Sequence, residues 1–226
     1  MTRRSRLLAL ILVAAAGHAG GLLAQVAGLP VRNAGVGTGI GVAADVGFPN
    51  AAAGKGVAAG LTGAIGLGPL GITGTVATWN PKGPGESITS VGATGNLKII
   101  GGPLIPVSVT LQAGAARFTE DRSAPGEPLE FRTWHVPVGV GLALTIPNPV
   151  FSIKPWVAPR LDVLRTTIEA DTPAETNTTT DFGISGGVDL GFLNGLTIRA
   201  MYDRVSRGGG VSVSTISVGL GFKVGT

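Results

Sequence analysis

The chain has 226 residues, of which only 13% are charged, and it contains 38 glycines and no cysteine. Its mean hydropathy is high for a soluble protein, yet beyond the N-terminal region no stretch approaches the length of apolar sequence that a transmembrane helix needs. The lack of cysteine excludes disulfide frameworks and thiolate metal sites. Strands that show alternate apolar residues to lipid would reconcile these features.

The N-terminal residues have the three parts of a secretory signal. Three arginines within the first six residues form a basic start, an apolar run follows over 7–16, and small residues come next. The run is too short to span a bilayer as a helix. We predict that residues 1–24 are a leader for the Sec pathway, cleaved after Ala24 or, alternatively, after Ala19. Residues 25–34 are assigned to a short linker.

The basic character of the chain belongs largely to this leader. Its removal takes away three of 17 basic residues, so 14 remain against 13 acids and the net charge falls to +1. The remaining basic residues do not cluster, as a nucleic-acid surface would require. We therefore expect no nucleic-acid partner.

Ten segments behind the leader alternate between apolar and small or polar residues, which is the period of a strand with two different faces. In the last segment Val218, Leu220 and Phe222 share one face, whereas Lys223 lies on the other. The predicted strands are 35–48, 56–67, 70–79, 87–100, 105–119, 130–146, 150–166, 181–192, 196–205 and 211–224. Eight strands are the alternative, if the glycine-rich first pair is a plug or linker.

Short and long connections between these segments alternate. Gly68-Pro69 is a short turn, whereas 120–129 and 169–180 are longer and rich in Glu, Asp, Pro and Thr. Outer-membrane barrels have short periplasmic turns and longer outer loops. Ten strands in this arrangement place both ends of the barrel on the periplasmic side.

The two faces of the predicted strands differ in charge. One carries branched apolar side chains and is assigned to lipid, where a charge near the midplane costs about 2–4 kcal/mol. The other carries small residues and mid-strand charges and is assigned to the lumen. The predicted lumen ionic network comprises Asp45, Lys98, Lys154, Arg160, Asp162, Asp189, Arg199, Asp203 and Lys223. These charges could form a packed ionic plug or line a polar pathway.

Most aromatic residues lie near strand ends, as in the two girdles of membrane barrels. The predicted girdles contain Phe48, Trp79, Trp134, Phe151, Phe182, Phe192, Tyr202 and Phe222. Trp156 lies mid-strand on the lumen face and is expected to fill lumen volume.

On these patterns, residues 35–224 resemble the small outer-membrane β-barrels of Gram-negative-type bacteria, the OmpA/OmpX-like and porin-like group, and the barrel domain is assigned to residues 35–226. Members often end in an aromatic residue that the barrel-assembly machinery recognises, and Phe222 stands four residues before the end. The resemblance implies an all-β, closed, antiparallel, up-and-down transmembrane barrel in the outer membrane. Its implied partners are outer-membrane lipid, lipopolysaccharide and, during insertion, the assembly machinery.

The sequence offers little for catalysis. His135 is the only histidine after the leader, and one imidazole without cysteines cannot form a multi-histidine metal site. Ser108, Ser152 and Asp162 share its parity, but a base needs its nucleophile within hydrogen-bond reach. We expect no enzyme, metal or cofactor, with an outer-membrane lipid hydrolase as a weak alternative.

The expected function is therefore that of a structural barrel or narrow passive channel with a charged lumen and exposed outer loops. A soluble, secreted all-β ligand-binding protein is the alternative from a different class. The sequence carries no signal for a solute or for an oligomeric state.

Overall fold

The computed structural model describes most of the chain behind the expected leader. The described residues are 26–35, 37–82, 87–102, 105–124, 127–169 and 174–224, with the backbone alone at 121–124, 127–129 and 169. The predicted leader and both cleavage points lie outside these residues.

Ten long strands form one antiparallel sheet. They are β1 (Gly39–Pro49), β2 (Val57–Leu67), β3 (Leu70–Asn80), β4 (Ile88–Gly102), β5 (Ile105–Ala124), β6 (Glu127–Leu144), β7 (Phe151–Glu169), β8 (Glu175–Phe192), β9 (Leu196–Ser206) and β10 (Ser212–Val224). A two-residue strand, Ile146–Pro147, adds to the start of β7. Each long strand pairs with its neighbours in sequence, and β1 pairs with β10. The prediction of a closed ten-stranded barrel is confirmed, and the eight-stranded alternative is wrong.

The seam between β1 and β10 shows how the pattern of the sequence closes the barrel. Val42 lies opposite Phe222 and Val46 lies opposite Val218, on the face assigned to lipid. On the other face, Asp45 lies opposite Gly219. Because side chains alternate between faces, a slip of one residue would move the apolar set inward, and the register is therefore well specified.

Four strands are longer than the sequence suggested. β5 to β8 have 18–20 residues, whereas β1, β2, β3 and β9 have 11. The expectation that 120–129 and 169–180 are loops is wrong for most of their length, since β5 continues to Ala124 and β8 begins at Glu175. Threonines favour strands and pair across them, as Thr167 and Thr176 do at 3.2 Å between hydroxyls. These extensions are polar on both faces, and their polarity resembled that of a loop.

The outer surface carries a continuous belt of exposed apolar side chains. Leu61, Ile72 and Leu220 are 69%, 66% and 57% exposed, and every long strand contributes to the belt. An 11-residue strand is about 37 Å long and spans about 26 Å when tilted by about 45°. That height matches the apolar band of a membrane barrel, about 25 Å.

The regular structure outside the sheet is limited to two short 3-10 turns among the described residues, Ala51–Ala53 and Gly208–Gly210. No helix in the described ranges is long and apolar enough to cross a membrane.

Residues 26–35, hereafter the lumen segment, lie inside the barrel. Val26 and Leu29 pack with side chains at the long-loop ends of β3, β4 and β5, whereas Ala34 approaches Lys154 near the short turns. The segment therefore runs down the lumen before the chain turns into β1 at Gly39. The sequence placed 25–34 in a linker and began the first strand at 35, so this internal path was not foreseen.

The occupied lumen as the candidate functional site

Two inward-facing side chains accept hydrogen bonds from the backbone of the lumen segment. Ser90 Oγ accepts from the Ala27 N–H at 2.9 Å, and Asp203 Oδ2 accepts from the Val31 N–H at 3.0 Å. Both contacts are buried. A buried N–H without a partner would cost about 1–3 kcal/mol of folding free energy. These two side chains remove that cost at Ala27 and Val31.

Three further contacts hold the C-terminal half of the lumen segment, which lies toward the short turns. Gln112 Nε2 donates to the carbonyl oxygen of Arg32 at 2.9 Å, and Lys154 Nζ donates to that of Ala34. The Arg32 guanidinium itself pairs with the Asp189 carboxylate. Together with the bonds to Ser90 on β4 and Asp203 on β9, these contacts connect the lumen segment to five strands, β4, β5, β7, β8 and β9.

Glycines on the wall provide the space in which the segment lies. A Cβ on Gly47 would stand 2.3 Å from the carbonyl oxygen of Gly28, and one on Gly141 would stand 2.1 Å from that of Asn33. Both obstacles are backbone atoms, so no rotamer change could relieve the clash. At Gly47 and Gly141 the space that a side chain would take is therefore filled by the backbone of the lumen segment.

Trp79 belongs to this internal packing, which corrects its assignment to a girdle. Its side chain is 3% exposed, clusters with Val26 and Leu29, and donates from Nε1 to the Lys55 carbonyl oxygen at 2.9 Å. Its position on β3 is in phase with the buried Ala77 and out of phase with the lipid face. For Trp79, the face of the strand on which the side chain lies therefore decides its environment, and its closeness to the strand end does not.

The other predicted girdle residues lie on the outer face of the barrel. Phe48, Trp134, Phe182, Tyr202 and Phe222 are exposed there, and Phe151 and Phe192, which lie opposite each other, are partly exposed. Trp156, expected in the lumen, is buried with Ala34 and Met201.

Asp45 and Arg199 form the first buried ion pair of the lumen. Arg199 Nε donates to Asp45 Oδ1 at 2.6 Å, and the guanidinium makes a second contact with Oδ2. The two residues lie on β1 and β9, with Gly219 of β10 between them in register. A Cβ on Gly219 would stand 2.0 Å from Asp45 Oδ1, so glycine at this position allows the two side chains to meet across the strand.

A second ionic cluster joins β6, β7 and β9. Arg160 donates from Nε to Asp162 Oδ1 and from its terminal nitrogen to Asp203 Oδ1, both at 2.9 Å. His135 Nε2 lies 2.7 Å from the same Asp162 oxygen. All four side chains are almost completely buried, and Gly183 of β8 lies beneath them. The cluster lies in the long-loop half of the lumen, beside the lumen segment.

The three lysines of the predicted network lie apart from these clusters. Lys98, Lys154 and Lys223 lie toward the short-turn end, and none is in an ion pair within the described part of the chain. They face two adjoining cavities of about 170 and 240 Å³, which share Gly35 and Gly37 in their walls.

The two serines that share the parity of His135 in the sequence, Ser108 and Ser152, both lie far from it along the strands. Ser108 lies opposite Ala143, eight residues further along β6 than His135, or about 26 Å away along the strand. Ser152 is the second residue of β7, whereas His135 lies opposite Leu164, a separation of about 40 Å along the strand. Within the described residues, no group of three His, Cys, Asp or Glu side chains could hold a metal ion.

These features define a class: a closed antiparallel β-barrel with an apolar outer belt and a lumen occupied by its own N-terminal segment.

No family model and no curated protein matches the sequence. Solved structures that are similar include the transport unit of the autotransporter AIDA-I from Escherichia coli, at 11% identity over 88% of this chain and 93% of that chain, with a TM-score of 0.47. The outer membrane protease OmpT from Escherichia coli matches at 8% identity over 83% and 94%, with a TM-score of 0.46. The translocator domain of the autotransporter NalP from Neisseria meningitidis matches at 14% identity over 84% and 90%, with a TM-score of 0.44.

Proposed function

We propose that the protein is an integral outer-membrane β-barrel whose lumen is closed at rest by residues 26–35. In this state it serves as a structural membrane protein, and it becomes a narrow passive channel only when the lumen segment is displaced. The observation that carries the proposal is the burial of the segment across the lumen, with contacts to five strands.

The apolar belt supports membrane insertion. Soluble monomers rarely expose apolar patches beyond a few hundred Å², whereas here every long strand shows large apolar side chains to the outside. Burying such surface in lipid is favourable by about 25 cal/mol per Å². This favours a membrane barrel over the soluble ligand-binding alternative, with outer-membrane lipid and lipopolysaccharide as its surroundings. Sec export and insertion by the barrel-assembly machinery complete the proposal.

The packed lumen supports the resting, closed state. Small barrels are just wide enough for side chains to fill, and here a chain segment adds its own backbone to that filling. Both ionic clusters satisfy charges that would otherwise line a water-filled path. Conduction would require the segment to break its contacts with Ser90, Gln112, Lys154, Asp189 and Asp203.

Planar-bilayer recording tests this proposal. The refolded full chain should give no resolved channel events, whereas a variant with residues 26–35 replaced by a glycine–serine sequence of equal length should conduct. Folding of both is checked by heat-modifiable migration on SDS gels. Equal, steady conductance of the two proteins would contradict closure by the segment, and release of the protein from membranes by carbonate would contradict the barrel's insertion.

We further propose that the protein has no catalytic role. The imidazole of His135 is engaged with Asp162 and lies far from Ser108 and Ser152. Incubation with phospholipid or lipid A in detergent should give no product. Turnover that disappears in His135→Ala, while heat-modifiable migration shows that this variant still folds, would revive the lipid hydrolase alternative.

A further inference from the structure

The larger of the two cavities lies at the short-turn end of the lumen. Its volume is about 240 Å³, many times the space that one water molecule needs. The C-terminal part of the lumen segment forms one wall, and the end of β4, the starts of β5 and β7 and the residue after β6 form the others. Its lining includes Lys98, Lys154, Ser108, Thr38 and Thr145.

The lining of this cavity contains cations and hydroxyls but no carboxylate. Lys98 and Lys154 face it directly, and Lys223 and Arg32 face the adjoining cavity across Gly35 and Gly37. The nearby carboxylates are already engaged, since Asp189 pairs with Arg32 and Asp45 pairs with Arg199.

This leaves an excess of positive charge where low-dielectric walls strengthen electrostatic interactions. Lys154 lies opposite Asp189 in register, yet it directs Nζ to the carbonyl oxygen of Ala34 instead of closing an ion pair. A lysine ammonium has three donors, so this contact leaves two free for a ligand. The backbone N–H of Lys98 donates to the Pro69 carbonyl oxygen, but within the described residues its ammonium has no hydrogen-bond or ion-pair partner, so all three ammonium donors are available to a ligand.

We propose that this cavity, the short-turn vestibule, binds a small soluble oxyanion of the phosphate or carboxylate class. Lys98 and Lys154 would supply the charge, and the hydroxyls of Ser108 and Thr145 would supply further donors. Charge-assisted hydrogen bonds of this kind are about twice as strong as neutral ones. The vestibule faces the lumen and not the lipid belt, so the ligand is a solute of the compartment below the barrel, not a lipid headgroup. The proposal does not depend on conduction, because the site exists in the closed chain.

Equilibrium binding to the refolded full chain in phosphate-free, non-ionic detergent tests the inference. Inorganic phosphate, followed by ³¹P NMR or calorimetry, should bind saturably with one site per chain, and citrate is titrated as the carboxylate probe. The double variant Lys98→Gln/Lys154→Gln should weaken binding of the preferred anion at least tenfold. Glutamine at position 154 keeps an N–H donor that faces the Ala34 carbonyl oxygen, although its side chain is one bond shorter than that of lysine.

Lys82→Gln, at the opposite end of the barrel, is the matched control and should bind like the wild type. Heat-modifiable migration of every variant shows that the barrel has folded, and silent bilayer recordings show that the segment is still in place. Binding of neither anion, binding that does not saturate, or equal binding by the double variant would overturn the proposal. A conducting wild-type chain with a normal vestibule affinity would overturn only the closed state proposed above.

Discussion

Val31 donates its backbone N–H to Oδ2 of Asp203 at 3.0 Å, which joins the lumen segment to β9 across 172 residues of sequence. The other oxygen of the same carboxylate accepts from Arg160 at 2.9 Å. One buried carboxylate therefore connects the segment, β7 and β9. The chain that closes the lumen and the ionic cluster of its wall form one polar network, so a change in either should affect the other.

Replacing Asp203 with alanine should destabilise the barrel substantially. The substitution leaves the Arg160 guanidinium short of a partner and the Val31 N–H unsatisfied, and breaking a buried pair typically costs about 3–5 kcal/mol. Asp203→Asn retains an acceptor for one of these donors and should lose less. Urea titrations followed by heat-modifiable migration provide the measurement; equal midpoints for the wild type and Asp203→Ala would show that the network contributes little.

Asp45 and Arg199 should show strong energetic coupling in a double-mutant cycle. Each single change, Asp45→Ala or Arg199→Met, leaves one buried charge without its partner, whereas the double change removes both charges. Buried partners in one ion pair commonly couple by about 0.5–3 kcal/mol. The loss of stability in the double variant should therefore be clearly smaller than the sum of the single losses. Additive losses would mean that water already satisfies these charges in the folded protein.

Filling the wall glycines should expel the lumen segment. Leucine at Gly141 would collide with the Asn33 carbonyl oxygen, and leucine at Gly47 would collide with that of Gly28. Either variant should conduct in planar bilayers without any change to the segment's own sequence. Gly63→Leu is the control, since nothing lies within 4 Å of a Cβ there and the position faces outward. Silence from both lumen variants, if they fold, would argue against a displaceable segment.

Lipid requires alternation over every spanning strand, and for that reason the sequence predicts the barrel well. The pairings of Val46 with Val218 and of Val42 with Phe222 follow from the same parity that the amino-acid sequence displays. The polar extensions of β5 and β8 escaped prediction because their sequences are polar at both parities, so no apolar period marks them. In β8 the threonines at 176 and 178–180 were the available signal.

The contents of the lumen were harder to foresee. The sequence of the lumen segment shows no hydrophobic repeat of a strand or helix. Its backbone is not paired with a neighbouring strand; side chains such as Ser90 and Asp203 accept its hydrogen bonds instead. Small wall residues indicated free space but could not indicate what fills it. Trp79 could have been placed correctly, because it is in phase with Ala77 and not with Val76.

Brominated lipid should separate the tryptophans by face. Trp134 lies on the outer surface and is 45% exposed, whereas Trp79 is buried against the lumen segment. In variants that retain a single tryptophan, with the others changed to phenylalanine, fluorescence of Trp134 should be quenched by bromines in the acyl chains. Fluorescence of Trp79 should be blue-shifted and nearly unaffected. Strong quenching of Trp79 would place it back in a girdle.

A charge on the outer belt should cost stability according to its depth. Val218 lies at the middle of β10 and is 51% exposed on the outer face, so Val218→Arg should cost about 2–4 kcal/mol in a bilayer. Val224, at the end of the same strand and on the same face, tests the interface, where Val224→Arg should cost about 0–1 kcal/mol. Unfolding in urea from phosphatidylcholine vesicles gives both values. A soluble barrel would place Val218 in water, where arginine costs nothing, so equal stability of the two variants would contradict the lipid-facing assignment.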